Sequence, residues 1–209
     1  MIEVRDAGVT VDGVTLLSPI SVNVTVGETL VVRGRNGSGK STLLRLLAGA
    51  QRPTTGQAFI NDLPVSGRDA KFRRTVSAMI GLPAEAPDLT LADHLGIVAA
   101  TWFDDASAAQ GITDELVTAL GLGALTERFP HELSSGQRQL FGLALILARP
   151  FEVLMLDEPE QRLDSEHLAA VIQVLRGLQS RGRTLVVATH SEELTSSIEH
   201  RRLQLDESA

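Results

Sequence analysis

Apolar and polar positions alternate at the start of the chain. Val9 and Val11, then Val22, Val24 and Val26, fall on every second residue, the period of a half-buried strand. Gly27-Glu28 marks a turn, and Leu30-Val31-Val32 reads as a strand buried on both faces. A glycine-rich run, GRNGSGKST (residues 34–42), follows at once. Leu43, Leu46 and Leu47 then lie on one face of a predicted helix that Gly49 would stop. Pro53-Thr54-Thr55-Gly56 predicts a turn, and Ala58-Phe59-Ile60 predicts a strand closed by Asn61-Asp62. From about 83 to 148 the period changes to that of helices. Leu95, Val98, Ala99 and Trp102 share one face, Leu116, Ala119 and Leu120 another, and Leu140, Leu143, Ala144 and Leu147 a third. Beyond 150 the alternation of strand and helix returns. Val153 to Leu156 is a buried strand, Leu168 to Leu178 an amphipathic helix ending near Gly182, and Leu185 to Ala188 another buried strand. This order predicts an α/β protein with a parallel sheet, interrupted by a helical insertion.

Composition narrows the classes. The 209 residues are compatible with one domain carrying a subdomain. There is no cysteine, which excludes a disulfide scaffold and a thiolate zinc site. A net charge of −7 gives no general nucleic-acid footprint, and no nucleic-acid partner is expected. The cluster Lys71, Arg73, Arg74 is read as a solvated face. The first residues carry acids where a signal peptide needs apolar ones, and no apolar run approaches the ~20 residues that span a bilayer. Any membrane role must then pass through a partner. Trp102 is read as a packing residue, and the sequon at Asn23-Val24-Thr25 as strand.

The chemistry begins with Gly34-x-x-x-x-Gly39-Lys40-Ser41, which follows a predicted strand and opens a predicted helix. That context is what a phosphate loop requires. Its glycines let backbone N–H groups point inward, and the helix N-terminus adds partial positive charge. Lys40 is placed to reach the β- and γ-phosphates and the Ser41 hydroxyl to coordinate Mg²⁺; Asn36, Gly37, Ser38 and Thr42 complete the phosphate-binding set. Asp157 and Glu158 end the buried strand 153–156, at the carboxyl edge where open α/β sheets bind ligands. Asp157 is placed to organise the metal and Glu158 to polarise an attacking water. Leu133 to Gln137, LSSGQ, reads by itself as a serine-capped helix start.

Taken in order, GRNGSGKST, LSSGQ, VLMLDEP, Leu163-Asp164 and Ala188-Thr189-His190 make the chain resemble the ABC ATPase family over nearly its whole length. No Asn-Lys-x-Asp run supports a GTPase. The resemblance implies a RecA-like P-loop NTPase core (1–82 and 149–209) with an N-terminal antiparallel β subdomain and an inserted helical subdomain (83–148). It implies that ATP binds between two subunits packed head to tail, as a homodimer or with a related ATPase. Ser134, Gly136 and Gln137 of one subunit would meet the γ-phosphate held by the other, Asp164 would couple the two sites, and His190 would hold the catalytic geometry. It further implies ATP hydrolysis with Mg²⁺ and work on a separate transmembrane permease, at the cytoplasmic face of the membrane. The chain ends soon after His190, which resembles compact exporter-type subunits. A soluble ABC ATPase driving a non-transport assembly, or a slow nucleotide switch, is the alternative.

Three departures from the family pattern stand out. The aromatic that stacks on adenine is missing: there is no tyrosine, and Val11 takes the aligned position. The glutamine expected at the junction of core and insertion is replaced by Gly81 or Leu82, with Glu85 a candidate substitute. Ser135 stands where glycine is usual in the LSSGQ motif, and Leu145 replaces an arginine in the helix that follows.

Overall fold

The computed structural model describes residues 1–205. Their contacts define two compact units. One comprises Met1–Ile80, Phe151–Glu158 and the chain from Leu178 onward; the other comprises Gly81–Pro150 and Pro159–Gly177.

The first unit holds two sheets. The N-terminal sheet is antiparallel. Strand β1 (Ile2–Val11) pairs with β2 (Val14–Val24) and with β4 (Thr55–Ile60), and β4 pairs with the two-residue β5 (Leu63–Pro64). Asp12 and Gly13 connect β1 to β2 with φ of 50° and 78°, the left-handed pair that a two-residue hairpin needs. Asn61 and Asp62 do the same between β4 and β5. Val26, which continues the alternation of β2 on paper, lies beyond the strand and is exposed. The turn there closes by Glu28 N–H donating to the Thr25 carbonyl. Likewise β4 begins at Thr55, inside the predicted turn, because Thr55 pairs with Gly8.

The second sheet of this unit is parallel at every pairing. Its order is β6 (Val76–Met79), β7 (Val153–Asp157), β8 (Thr184–Ala188), β3 (Thr29–Gly34), β9 (Arg201–Leu205). The central strands are continuous apolar runs because both faces are covered. Against them pack Leu43, Leu44, Leu46 and Leu47 of α1 (Lys40–Leu47), all buried. Each such leucine contributes about 1.5–3 kcal/mol by leaving water. Helices α2 (Ala70–Thr75) and α7 (Glu192–Ile198) complete this unit.

The second unit is helical. It contains α3 (Leu91–Trp102), α4 (Ala106–Ala119), α5 (Ser135–Leu147) and the greater part of α6 (Ser165–Ser180). The strand–helix alternation assigns 159–177 to the core, whereas their contacts put them with the helices. Side-chain caps start these helices: Thr90 with Asp93 for α3, Asp105 for α4, Ser134 with Gln137 for α5 and Asp164 for α6. Leu91, Leu95, Ala99, Leu116, Leu140, Phe141, Leu143 and Ala144 form the interior. His94 packs edge-on against Phe141 at 5.4 Å, and the Arg149 guanidinium lies 4.0 Å from the centre of the Trp102 ring. Trp102 is thus a packing residue within this unit.

Candidate functional site

The phosphate loop sits where β3 ends and α1 begins. Gly39 takes φ of 93° at the N-cap of α1, and a Cβ there would lie 2.7 Å from the Leu16 carbonyl oxygen. Only glycine fits that approach. The turn sends the chain straight into the helix, so Lys40 is its first residue and is buried. Its ammonium donates to the carbonyls of Gly34 at 2.8 Å and Arg35 at 3.0 Å. That fixes the side chain along the inside of the loop, with a further N–H to offer. Ser38 is buried, and its hydroxyl has no hydrogen-bond partner among the described residues.

A cleft of about 500 Å³ opens over this loop. Asn36, Gly37, Gly39, Lys40, Ser41 and Thr42 make one side of it, Val14, Thr15 and Leu16 of β2 another, and Glu158 reaches it from the end of β7. Val11 is not part of that lining. The hairpin turns at Asp12-Gly13, Val11 pairs with Val14, and the next strand supplies the wall in place of Val11. Val14 and Leu16, aliphatic residues of that wall, are 60% and 38% exposed, and Val11 beside them is 41% exposed.

Glu158 is held in an unusual way. Its φ is 49°, a left-handed conformation that costs a non-glycine residue about 1–3 kcal/mol. Its N–H donates to the Ala188 carbonyl at 2.8 Å, which anchors it to β8. The carboxylate comes within 3.5 Å of Nε2 of His190, which lies two residues beyond the end of the same strand. Two residues far apart in sequence thus meet because β7 and β8 are neighbours. Asp157, half-buried, is the last residue of β7 and pairs with Ala188.

The Ser41 hydroxyl and the Asp157 carboxylate are hard oxygen donors. No group of three or more His, Asp or Glu stands ready to hold a metal among the described residues. This donor set suits Mg²⁺, which takes one or two protein oxygens and completes its shell with water and phosphate.

The helical unit carries the other motif. Ser134 is the N-cap of α5: its Oγ accepts from Gln137 N–H at 3.2 Å, and its own N–H donates to Gln137 Oε1 at 2.9 Å. Ser134 and Ser135 are exposed, so the serine that departs from the family pattern meets no steric demand. A Cβ on Gly136 would lie 2.7 Å from the Arg162 carbonyl oxygen. Arg162 is itself left-handed, with φ of 66°. The glycine is thus required by a contact inside this chain. Asp164 caps α6 by accepting from His167 N–H at 2.9 Å and lies 2.8 Å from its Nδ1. Those contacts, the backbone one first, hold its carboxyl below the ordinary aspartate range.

Glu85 does not substitute for the missing glutamine. Its carboxylate is only 5% exposed and is gripped by Arg138, with Nε at 2.7 and 3.1 Å and Nη2 closing the fork. A carboxylate in a bidentate pair is committed to that pair. Leu145 is buried in the helical unit, so its replacement of arginine is a core substitution. Arg33 and Arg138 are the charged residues that the motif reading passes over. The signal for Arg33 was available: a single cation ending an otherwise apolar buried strand.

Comparison with known proteins identifies the family. The family model described as "ABC transporter" matches residues 17–161. A Streptomyces coelicolor protein named as an ABC transporter ATP-binding protein is 38% identical over 206 residues, 98% of this chain and 36% of that protein. The methionine import ATP-binding protein MetN 2 of Salmonella typhimurium is 34% identical over 186 residues, 86% of this chain and 54% of that protein. This chain therefore spans about a third to about half of the length of these curated relatives. Among solved structures, a dimeric post-hydrolysis state of the ATP-binding cassette MJ0796 bound to ADP and Pi superposes with a TM-score of 0.86. It is 22% identical, and the match covers 99% of this chain and 95% of that one. At that identity the likeness establishes the fold.

Proposed function

The chain belongs to the ABC transporter family, and from that premise we propose that it is an ATP-hydrolysing subunit that powers a membrane transporter through a separate permease chain. The observation that carries this reading is the Glu158–His190 pair, 3.5 Å apart, with Glu158 lining the same cleft as Lys40.

In this reading the loop N–H groups and Lys40 bind the β- and γ-phosphates, and the α1 dipole favours their charge. Ser41 and Asp157 would hold Mg²⁺, which when bound neutralises phosphate charge. Glu158 accepts a proton from the attacking water, and His190 fixes that carboxylate and contacts the γ-phosphate. The site is completed by a second copy of this chain packed head to tail. Its Ser134, Gly136 and Gln137 present a capped helix N-terminus, which favours an anion. Both halves of that arrangement occur in one chain, which supports a homodimer; Asp164 would couple the two sites. Among the described residues no helix is long and apolar enough to cross a membrane. In this reading the subunit works at the cytoplasmic face, docked on its permease.

The test is purification of Glu158→Gln from membranes with ATP present. Blocked hydrolysis should trap the closed dimer on its permease, so a membrane protein should co-purify in an ATP-dependent way. Recovery of soluble partners alone would instead favour an ABC ATPase that drives a non-transport assembly.

A further inference from the structure

Arg33 lies at the end of β3, one residue before the phosphate loop, yet its side chain faces away from the loop's own chemistry. Its guanidinium reaches the first turn of α7. Nη1 donates to Thr195 Oγ1 at 2.9 Å and to the Ser191 carbonyl at 3.4 Å, and Nη2 donates to Glu192 Oε1 at 2.6 Å. The side chain is 17% exposed, so these bonds are partly shielded from water. Arginine is the residue suited to this, because its planar fork holds several acceptors at once.

The partners of Arg33 follow directly after His190. Ser191 N–H donates to Thr189 Oγ1 at 3.0 Å, and Ser191 Oγ accepts from Leu194 N–H at 3.1 Å to cap α7. Thr195 Oγ1 also donates to the Ser191 carbonyl at 2.7 Å. On the other side of His190, Thr189 N–H donates to the Val32 carbonyl at 3.4 Å. His190 is itself exposed, so its position depends on the backbone that carries it. The backbone that carries it is fastened before and after by the consecutive residues Val32 and Arg33 of β3.

We propose that Arg33 is a positioning residue: by clamping Ser191, Glu192 and Thr195 it holds His190 within reach of Glu158, and so ties the strand that leads into the phosphate loop to the residue that senses the γ-phosphate. This rests on the hydrolytic reading given above. Arg33 does not touch substrate and acts through His190.

The experiment compares Arg33→Met and Arg33→Lys, each alone and in a His190→Ala background. Turnover, binding of a non-hydrolysable ATP analogue and amide hydrogen exchange over residues 190–198 are measured on the full chain. Arg33→Met should lower kcat by about tenfold to a hundredfold, the scale of a small misplacement, with analogue binding changed less than about twofold. Arg33→Lys should recover part of that loss. In the His190→Ala background, Arg33→Met should cost less than about twofold more, because the residue it positions is gone. Exchange at 190–198 should rise in Arg33→Met. Equal losses in both backgrounds, or an unchanged kcat with unchanged exchange, would overturn the proposal. If the wild-type chain shows no turnover, the hydrolytic reading fails, and the exchange data alone decide whether Arg33 clamps the segment that carries His190.

Discussion

The phosphate loop and the LSSGQ helix start, both of which we propose as anion sites, lie at helix N-termini and are built in opposite ways. The loop is an enclosed backbone cradle. Ser38 and Lys40 are buried, Gly39 packs against the Leu16 carbonyl, and the lysine is braced by two carbonyls of its own loop. The LSSGQ start is an exposed end shaped by side chains. Ser134 and Gln137 cap each other, and Gly136 is tight only against Arg162 behind it. The first has walls of its own. The second has a floor and no walls, as expected of a surface that acts on a ligand carried by another subunit. The difference implies that damage to the loop abolishes binding and chemistry in its own chain, whereas damage to LSSGQ is felt by the partner.

The largest effect should come from the cleft side. Glu158→Gln should reduce ATP turnover by about a hundredfold to ten-thousandfold, the range for loss of a general base. ATP binding should persist, as read by a filter or fluorescence titration. Retained turnover would remove Glu158 from the chemistry and weaken the contrast at its stronger end.

Within the helical unit, the Glu85–Arg138 pair, whose arginine follows Ser134 by four residues, gives an asymmetric prediction. Arg138→Ala strands a buried carboxylate and should destabilise the protein by about 3–5 kcal/mol. Glu85→Ala leaves a half-exposed guanidinium that water can solvate, and should cost about 1 kcal/mol or less. Urea midpoints of the two variants check the order; equal losses would mean that Glu85 is better solvated than its 5% exposure indicates.

A smaller gain should follow from Leu82→Gln, at a position 37% exposed beside the departure from the family pattern. One restored hydrogen bond of about 1 kcal/mol corresponds to about fivefold in basal turnover. No increase would show that the junction is completed by another group. The smallest contrast concerns the nucleobase. Val14 and Leu16 supply aliphatic contact and no ring to stack on, so GTP should compete within about tenfold of ATP, a difference below 1.4 kcal/mol. A hundredfold preference for ATP in a competition titration would contradict that wall.

Much of this was legible in the sequence, for identifiable reasons. The buried strands β3, β7 and β8 announce themselves as apolar runs, and the residues that meet, Glu158 and His190, follow one and two positions after the ends of β7 and β8. The phosphate loop and the LSSGQ cap are local, so spacing alone describes them. What was hidden is non-local or edge structure. Strand β9 is half polar because it lies at the sheet edge: Arg201, Arg202 and Gln204 face solvent, and only its pairing with β3 makes it a strand. That Val14 and Leu16 line the cleft is hidden because the two-residue turn after Val11 decides which β2 residues reach it. The commitment of Glu85 is hidden because its partner, Arg138, lies 53 positions away. Arg33 was overlooked for the same reason, since its acceptors follow His190.

The central claim is that a competent site takes its cradle from one copy and its LSSGQ cap from another. Mixing two crippled variants tests it most directly. Lys40→Ala removes the cradle's cation. Ser134→Asp keeps a good helix cap and puts negative charge where the γ-phosphate must arrive. Each variant alone should be almost without ATP turnover. Unfolded together and refolded as a mixture, they should regain a clear fraction of wild-type turnover, because mixed dimers contain one site whose cradle and cap are both intact. A mixture as inactive as its components, or full turnover by Ser134→Asp alone, would contradict the account.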